Sequence, residues 1–259
     1  MTYHTAELSV RNGSFELFLN GLRIAGASRT ASYRAEPECD TAIRAGFNTL
    51  SLWWSPNPEK LSPGKVPIPS SCTVRLNRVV TDRSGAASRE LIGTLEGPTA
   101  ASDSGAVKTL EFRVPPADMR IRLWSELSSV QSLTRADVAL MAGVLKDFLG
   151  LLCGGDADAA GRVGSFRIAE RARAKGVPEP ELAEVYRDQM RRMAAEGPMT
   201  PIARDPDTLV FIPEGDGRVW MAHAAGTHGE PWLGVQIGGK PIFIPIGLGR
   251  IERQWTIVR

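Results

Sequence analysis

The chain is poor in the side chains from which most active sites are built. Its 259 residues include only three cysteines and three histidines. Cys39, Cys72 and Cys153 are far apart and odd in number, which argues against a disulfide framework and fits a reducing compartment. There is no Cys-x-x-Cys pair, and His4, His223 and His228 fit no zinc spacing, so neither a metal nor any other cofactor is expected. A Gly-x-Ser-x-Gly elbow and a Walker loop are both missing. No apolar run approaches the roughly 18 residues of a spanning helix, and the first ten residues lack the basic start and apolar stretch of a signal peptide. The net charge is only +2 and is shared evenly between the halves, which argues against a basic face for nucleic acid or an anionic membrane. The expectation is a cytoplasmic protein with neither of those partners.

What is present is ample apolar material, 42% of the chain, arranged with two different periods. Residues 1–125 alternate at period two, as strands do. Phe15, Leu17 and Leu19 share one face. Asn12-Gly13 and Asn20-Gly21 both read as hairpin turns, because each position tolerates positive φ. Phe47, Leu50 and Leu52 supply apolar bulk to a later strand. Residues 55–71 hold five prolines, which cannot donate to a sheet ladder and predict a long loop or edge excursion. Six to eight short strands without helices predict an antiparallel β-sandwich.

After a join at 126–133 the period lengthens. Thr134 with Asp137 reads as a capping box, and Val138, Met141, Leu145, Phe148 and Leu152 recur at helical spacing until Gly154-Gly155. A second helix is predicted over 156–175, weakened by Gly161 and Gly164. A third opens at Pro178 and Pro180 and stops at Gly197-Pro198. From Asp207 onward the pattern returns to strands: 208–213, 218–224, 232–237, an edge-like run at 240–246 marked by Pro241 and Pro245, and 250–258 after a turn at Gly247 and Gly249. The predicted fold class is α+β: a β-sandwich domain over 1–125, a linker over 126–133, and over 134–259 about three helices packed on a curved antiparallel sheet.

Two family resemblances follow from these stretches. The run Gly249-Arg250-Ile251-Glu252-Arg253-Gln254-Trp255-Thr256-Ile257-Val258, after three helices, resembles the closing strand of the NTF2-like superfamily and implies a cone-shaped sheet wrapped on a helix over 133–259. Leu19-Asn20-Gly21, Asp40-Thr41 and Gly46-Phe47-Asn48-Thr49-Leu50 are similar to the galactose-binding-like jelly rolls, which implies a β-sandwich N-terminal half.

Candidate functional residues are few. Trp220, Trp232, Phe243 and Trp255 lie in consecutive strand segments; some of them, with Trp220, Trp232 and Trp255 the candidates, either line a concave ligand pocket or fill it as core. His223, in phase with Val219 and Met221, is either an acid, base or ligand donor there, or a packed histidine. Trp53 and Trp54 are adjacent in a strand, so they face opposite ways. Whichever one is exposed suits a protein interface or sugar stacking. Arg167, Arg171, Arg173 and Lys175, with Arg187, Arg191 and Arg192, form either a positive patch or solvated helix faces. Cys153, at a helix C-terminus, is a poor nucleophile.

Because the titratable groups of an enzyme are not gathered anywhere, the leading expectation is a non-enzymatic interaction or adaptor protein that recognises a protein partner. A homodimer through the C-terminal sheet is a further expectation. The alternatives are an NTF2-like small-molecule binder or enzyme using the C-terminal pocket, and carbohydrate binding by the N-terminal sandwich.

Overall fold

The structure is a computed structural model and describes residues 2–56, 70–82, 86–97, 106–116, 119, 121–227 and 230–259. The proline-rich stretch 57–69 and His228 therefore lie outside the described residues. By internal contacts the chain divides into two compact units, Met1–Arg120 and Ile121–Arg259.

The first unit is built on β1 (Thr2–Leu19), an 18-residue strand. It is followed by β2 (Leu22–Ala35), β3 (Gly46–Pro56), β4 (Ser71–Thr81), β5 (Ala87–Glu96) and β6 (Ala106–Val114). All six strands form one antiparallel sheet in the order β5-β4-β1-β3-β6, with β2 on the other edge of β1. The expected two-layer sandwich is thus a single curled sheet. The cause is a change of partner along β1. Residues 2–11 pair with β4, and residues 13–19 pair with β3. The switch falls at Asn12, which takes φ 49°. The buried side chains change phase there, from Ala6, Leu8 and Val10 to Phe15, Leu17 and Leu19. Asn12-Gly13, expected as a hairpin turn, is instead an irregularity inside a continuous strand that lets both halves of it face the core. Asn20-Gly21 does turn the chain, with φ 52° and 77°, the two positive values that a tight two-residue hairpin needs. The curl brings β5 and β6 together, where Gly93 leaves room for the Leu110 side chain.

The turn is anchored by a buried amide pair. Asn20 Nδ2 donates to Asn48 Oδ1 (2.7 Å) and to Ala42 O (2.8 Å), and Asn20 Oδ1 accepts from Thr49 N. Asn48 Nδ2 donates to the carbonyls of Arg44 and Gly46, and its Oδ1 also accepts from Arg44 N. Asp40 accepts from the backbone N–H of His4 and meets its ring at 3.2 Å. Asn20, Asp40 and Asn48 are therefore occupied in holding loop 37–48 against β1.

The second unit begins with α1 (Leu123–Glu126) and continues through α2 (Arg135–Cys153), α3 (Ala157–Val163), α4 (Ser165–Lys175) and α5 (Glu179–Ala195), five helices among the described residues. The capping box forms as expected: Asp137 N donates to Thr134 Oγ1 (3.1 Å), and Thr134 N donates to Asp137 Oδ2 (3.0 Å). The single helix expected over 156–175 is broken at Gly164 into α3 and α4. The expected linker is part of this unit. Leu127 and Val130 are buried, and Ser128 bridges to Arg250. The buried Glu170 carboxylate on α4 accepts from the backbone N–H of Arg122 and Leu123 at 2.8 and 2.7 Å, which fixes the start of α1.

Seven short strands follow: β7 (Thr200–Pro201), β8 (Leu209–Glu214), β9 (Val219–Ala224), β10 (Gly234–Ile237), β11 (Lys240–Phe243), β12 (Gly247–Ile251) and β13 (Gln254–Ile257). They form two antiparallel sheets, β13-β12-β9-β8 and β11-β10-β7. β11, with Pro241, is an edge strand as its prolines predict. Residues 250–258, expected as one strand, instead turn at Glu252-Arg253, with φ 47° and 72°, so β12 and β13 make a hairpin. Gly247 and Gly249 lie inside β12. Side chains of Val219, Met221 and Leu127 press so closely there that a Cβ would collide with them. Met141, Leu145 and Leu152 of α2 are buried against Trp220, Ala222, Leu233, Ile246, Leu248, Trp255 and Ile257 to form the core of this unit.

Candidate functional site

The four residues expected around a C-terminal pocket are not brought together on one face. Trp220 and Trp255 are buried within the α2-facing core, and Trp232 packs against the same cluster. Trp220 donates to Gly217 O (3.2 Å), and Trp255 donates to Asp137 Oδ1 (3.0 Å). The indole N–H of Trp232 is buried without a partner among the described residues. His223 lies three residues from Trp220 on β9, so strand alternation turns it to the opposite face. There it shares a side with its cross-strand neighbour Val210, which is exposed. Met141, Leu145 and Leu152 of α2 are buried in the same cluster as Trp220 and Trp255.

The cysteines do not supply a nucleophile. Burial, with a further contribution from Asp40, pushes the Cys39 thiol far above its ordinary range. Cys72 is pushed up to about 12 by burial, and Cys153 is raised by the same cause. Thiols so shifted stay protonated near neutral pH. Among the described residues no group of three or more His, Cys, Asp or Glu could hold a metal. No described helix is long and apolar enough to cross a membrane.

The tryptophan pair on β3 separates as strand geometry requires. Trp54 is fully buried, and its ring is flanked by Gly13 and Gly97, where a methyl group would collide with it. Trp53 points outward and is half-buried. Its indole N–H makes no hydrogen bond to any described residue. Register identifies its neighbours. Trp53 lies between Glu16 on β1 and Val107 on β6, and the adjacent outward pair places Ser51 between Phe18 and Thr109. Val107 is 63% exposed. Further along β3 the outward Phe47 is 61% exposed under the Arg113 guanidinium, 4.1 Å from its ring centroid. Arg23 on β2 pairs with Glu16 at 3.2 Å and closes one side of the face. The result is an open surface of aromatic and aliphatic side chains separated by hydroxyls and rimmed by charge.

Phe18, Phe47 and Val107 escape a reading by residue type alone. Phe18 and Phe47 fall in the polar phase of their strands, so their alternation is a usable signal. Which of them meets Trp53, however, depends on strand register.

Larger concavities lie elsewhere among the described residues. One, of about 610 Å³, lies over the outward side of β1, β2 and β4 between Glu7, Arg34, Glu36 and Arg75. Another, of about 380 Å³, lies among α3, α4 and α5 beside Asp158, Arg162, Ile168 and Arg187.

At its other end the second unit offers a free strand. β8 is an edge of its sheet, with Val210 and Ile212 exposed at 37% and 45%. Thr208 O accepts from Ala225 N, which sets the ladder phase. The alternate residues Leu209, Phe211 and Pro213 therefore turn their backbone polar groups to the open side. Pro213 has no N–H there to leave unpaired. No family model matches this chain, and neither a curated protein nor a solved structure matches it.

Proposed function

We propose that the protein is an interaction module that recognises a protein partner across the outward face of its N-terminal sheet, with Trp53 at the centre. The observation that carries this reading is the company Trp53 keeps. A half-buried indole, its N–H without a hydrogen bond among the described residues, sits beside exposed Val107 and in one surface with Phe18 and Phe47. Interfaces concentrate their binding energy in such rigid amphipathic aromatics, surrounded by a polar rim. Glu16, Arg23 and Arg113 supply that rim. The face fits a partner that offers an aliphatic or aromatic side chain to the Trp53–Val107 step and a carbonyl to the indole N–H. The test is recovery of partner on immobilised protein, comparing wild type with Trp53→Ala and with a surface change in the second unit, Leu140→Lys, at an exposed position of α2. Loss in the first variant alone supports the reading, and equal recovery in all three removes it. Tryptophan fluorescence across a glycan panel separates sugar stacking on the same indole from protein recognition.

A second reading concerns self-association. The open edge of β8, with outward backbone groups at Leu209 and Phe211 and exposed Val210 and Ile212, suits antiparallel pairing with the same strand of a second copy. An NTF2-like small-molecule site or enzyme in the C-terminal sheet has weaker support, because the tryptophans meant to line it are packed against α2 while His223 faces away.

A further inference from the structure

The helices of the second unit carry many arginines, several of them matched by carboxylates. Arg173 pairs with Glu170, Arg187 with Glu184, and Arg191 with both Glu184 and Asp188. Asp158 approaches Arg187 at 3.8 Å. Of those outside this network, Arg135 and Arg162 are exposed to solvent, whereas Arg167 and Arg171 are not. Arg167 and Arg171 stand four residues apart on α4, a spacing that puts them on one helix face, where like charges repel. Both are half-buried. Neither side chain makes a hydrogen bond or an ion pair to any described residue. Tyr186 of α5 lies beside this face. The Arg171 guanidinium lies over that ring, 5.8 Å from its centroid, and Arg167 is close enough to feel both Tyr186 and Arg171 electrostatically. Burial lowers the Arg167 pKa from its ordinary value; Tyr186 opposes the shift and Arg171 adds to it.

Removing two like charges from water without a counter-charge is unfavourable. The arrangement becomes favourable once an anion with several acceptor oxygens lies between the two forks. Guanidinium groups bind such oxyanions in bidentate fashion, and stacking on an aromatic ring holds the fork in place beforehand. We propose that Arg167 and Arg171, backed by Tyr186, form a binding site for a phosphate-type oxyanion, either free inorganic phosphate or the phosphate of a small phosphomonoester.

The test is calorimetric titration of the full chain with inorganic phosphate and, separately, with glycerol phosphate, at constant ionic strength set by chloride. Wild type should show saturable binding. Arg167→Gln and Arg171→Gln should each weaken it at least about tenfold, equivalent to about 1.4 kcal/mol. Arg135→Gln, an equal charge change at an exposed position on α2, should leave it unchanged. Arg167→Lys keeps the charge but loses the fork, and should bind more weakly than wild type. If Arg167→Gln fails to fold, Arg171→Gln and Arg167→Lys decide the question. Tighter binding of glycerol phosphate identifies a phosphomonoester ligand; equal or weaker binding identifies the free ion. Absence of saturable binding by both anions overturns the proposal, as does wild-type affinity in the Arg171→Gln and Arg167→Lys variants.

Discussion

The seat of Trp54 allows a prediction whose sign changes with background. The three heavy atoms nearest a methyl group added at Gly97 all belong to the Trp54 indole: Cδ1 at 2.5 Å, Cγ at 2.8 Å and Nε1 at 2.9 Å. Gly97 has no positive φ, so alanine there brings no backbone strain of its own. In the wild-type background, forcing the methyl against a fully buried ring should cost about 1–3 kcal/mol. Trp54→Ala alone should cost about 3–5 kcal/mol, since it empties a closed site. In that second background the obstacle to Gly97→Ala is gone. What remains is the restriction of the unfolded chain, which favours alanine over glycine by about 0.4–1 kcal/mol. Gly97→Ala should therefore switch from destabilising to neutral or stabilising. Chemical denaturation followed by far-ultraviolet circular dichroism measures all four corners of the cycle. An equal penalty for Gly97→Ala in both backgrounds would refute the reasoning, because it would mean that the methyl meets something other than the ring.

Asp137 both caps α2 and accepts the buried Trp255 N–H, so Asp137→Ala should destabilise by about 1–3 kcal/mol, read from the unfolding midpoint. Its hydrogen bonds to the Thr134 side chain and backbone, and then to Trp255, hold the Asp137 carboxyl below the usual carboxylate range. A depressed folded value means that its contribution is present above the unfolded value and is lost as pH falls through the folded one. Acid titration of stability should accordingly be shallower for Asp137→Asn than for wild type in the region below the ordinary aspartate pKa. On the proposed pairing of β8 with a second copy, Val210→Lys should shift the mass measured by light scattering on a sizing column from dimer to monomer, with an unchanged far-ultraviolet circular dichroism spectrum.

Local chemistry was legible wherever the signal and its cause lie within a few residues. The Thr134–Asp137 cap, the Asn20-Gly21 turn and the edge character of the strand containing Pro241 are of that kind. The same dipeptide type at Asn12-Gly13 misleads, because its conformation serves a partner change between β4 and β3 that only the folded sheet defines. Gly247 and Gly249 mislead for a related reason. They provide room for Val219, Met221 and Leu127, while the real turn uses Glu252 and Arg253, residues with no turn signature. For the candidate site, the three-residue spacing of Trp220 and His223 already implies opposite faces on a strand. The opposite orientations of Trp53 and Trp54 are equally legible, but deciding which one is buried requires the core. The grouping of Trp53 with Phe18 and Val107 depends on cross-strand register, to which no local pattern points.

The most direct test of the partner-recognition account is quantitative recovery of partner by Trp53→Ala relative to wild type, with the unfolding midpoint of each measured alongside. A central interface tryptophan replaced by alanine typically costs 2 kcal/mol or more, about a thirtyfold loss of affinity. The account predicts such a loss with a nearly unchanged midpoint, since Trp53 lies on the outward face and Trp54 fills the core. Recovery equal to wild type from an equally stable Trp53→Ala protein would contradict it.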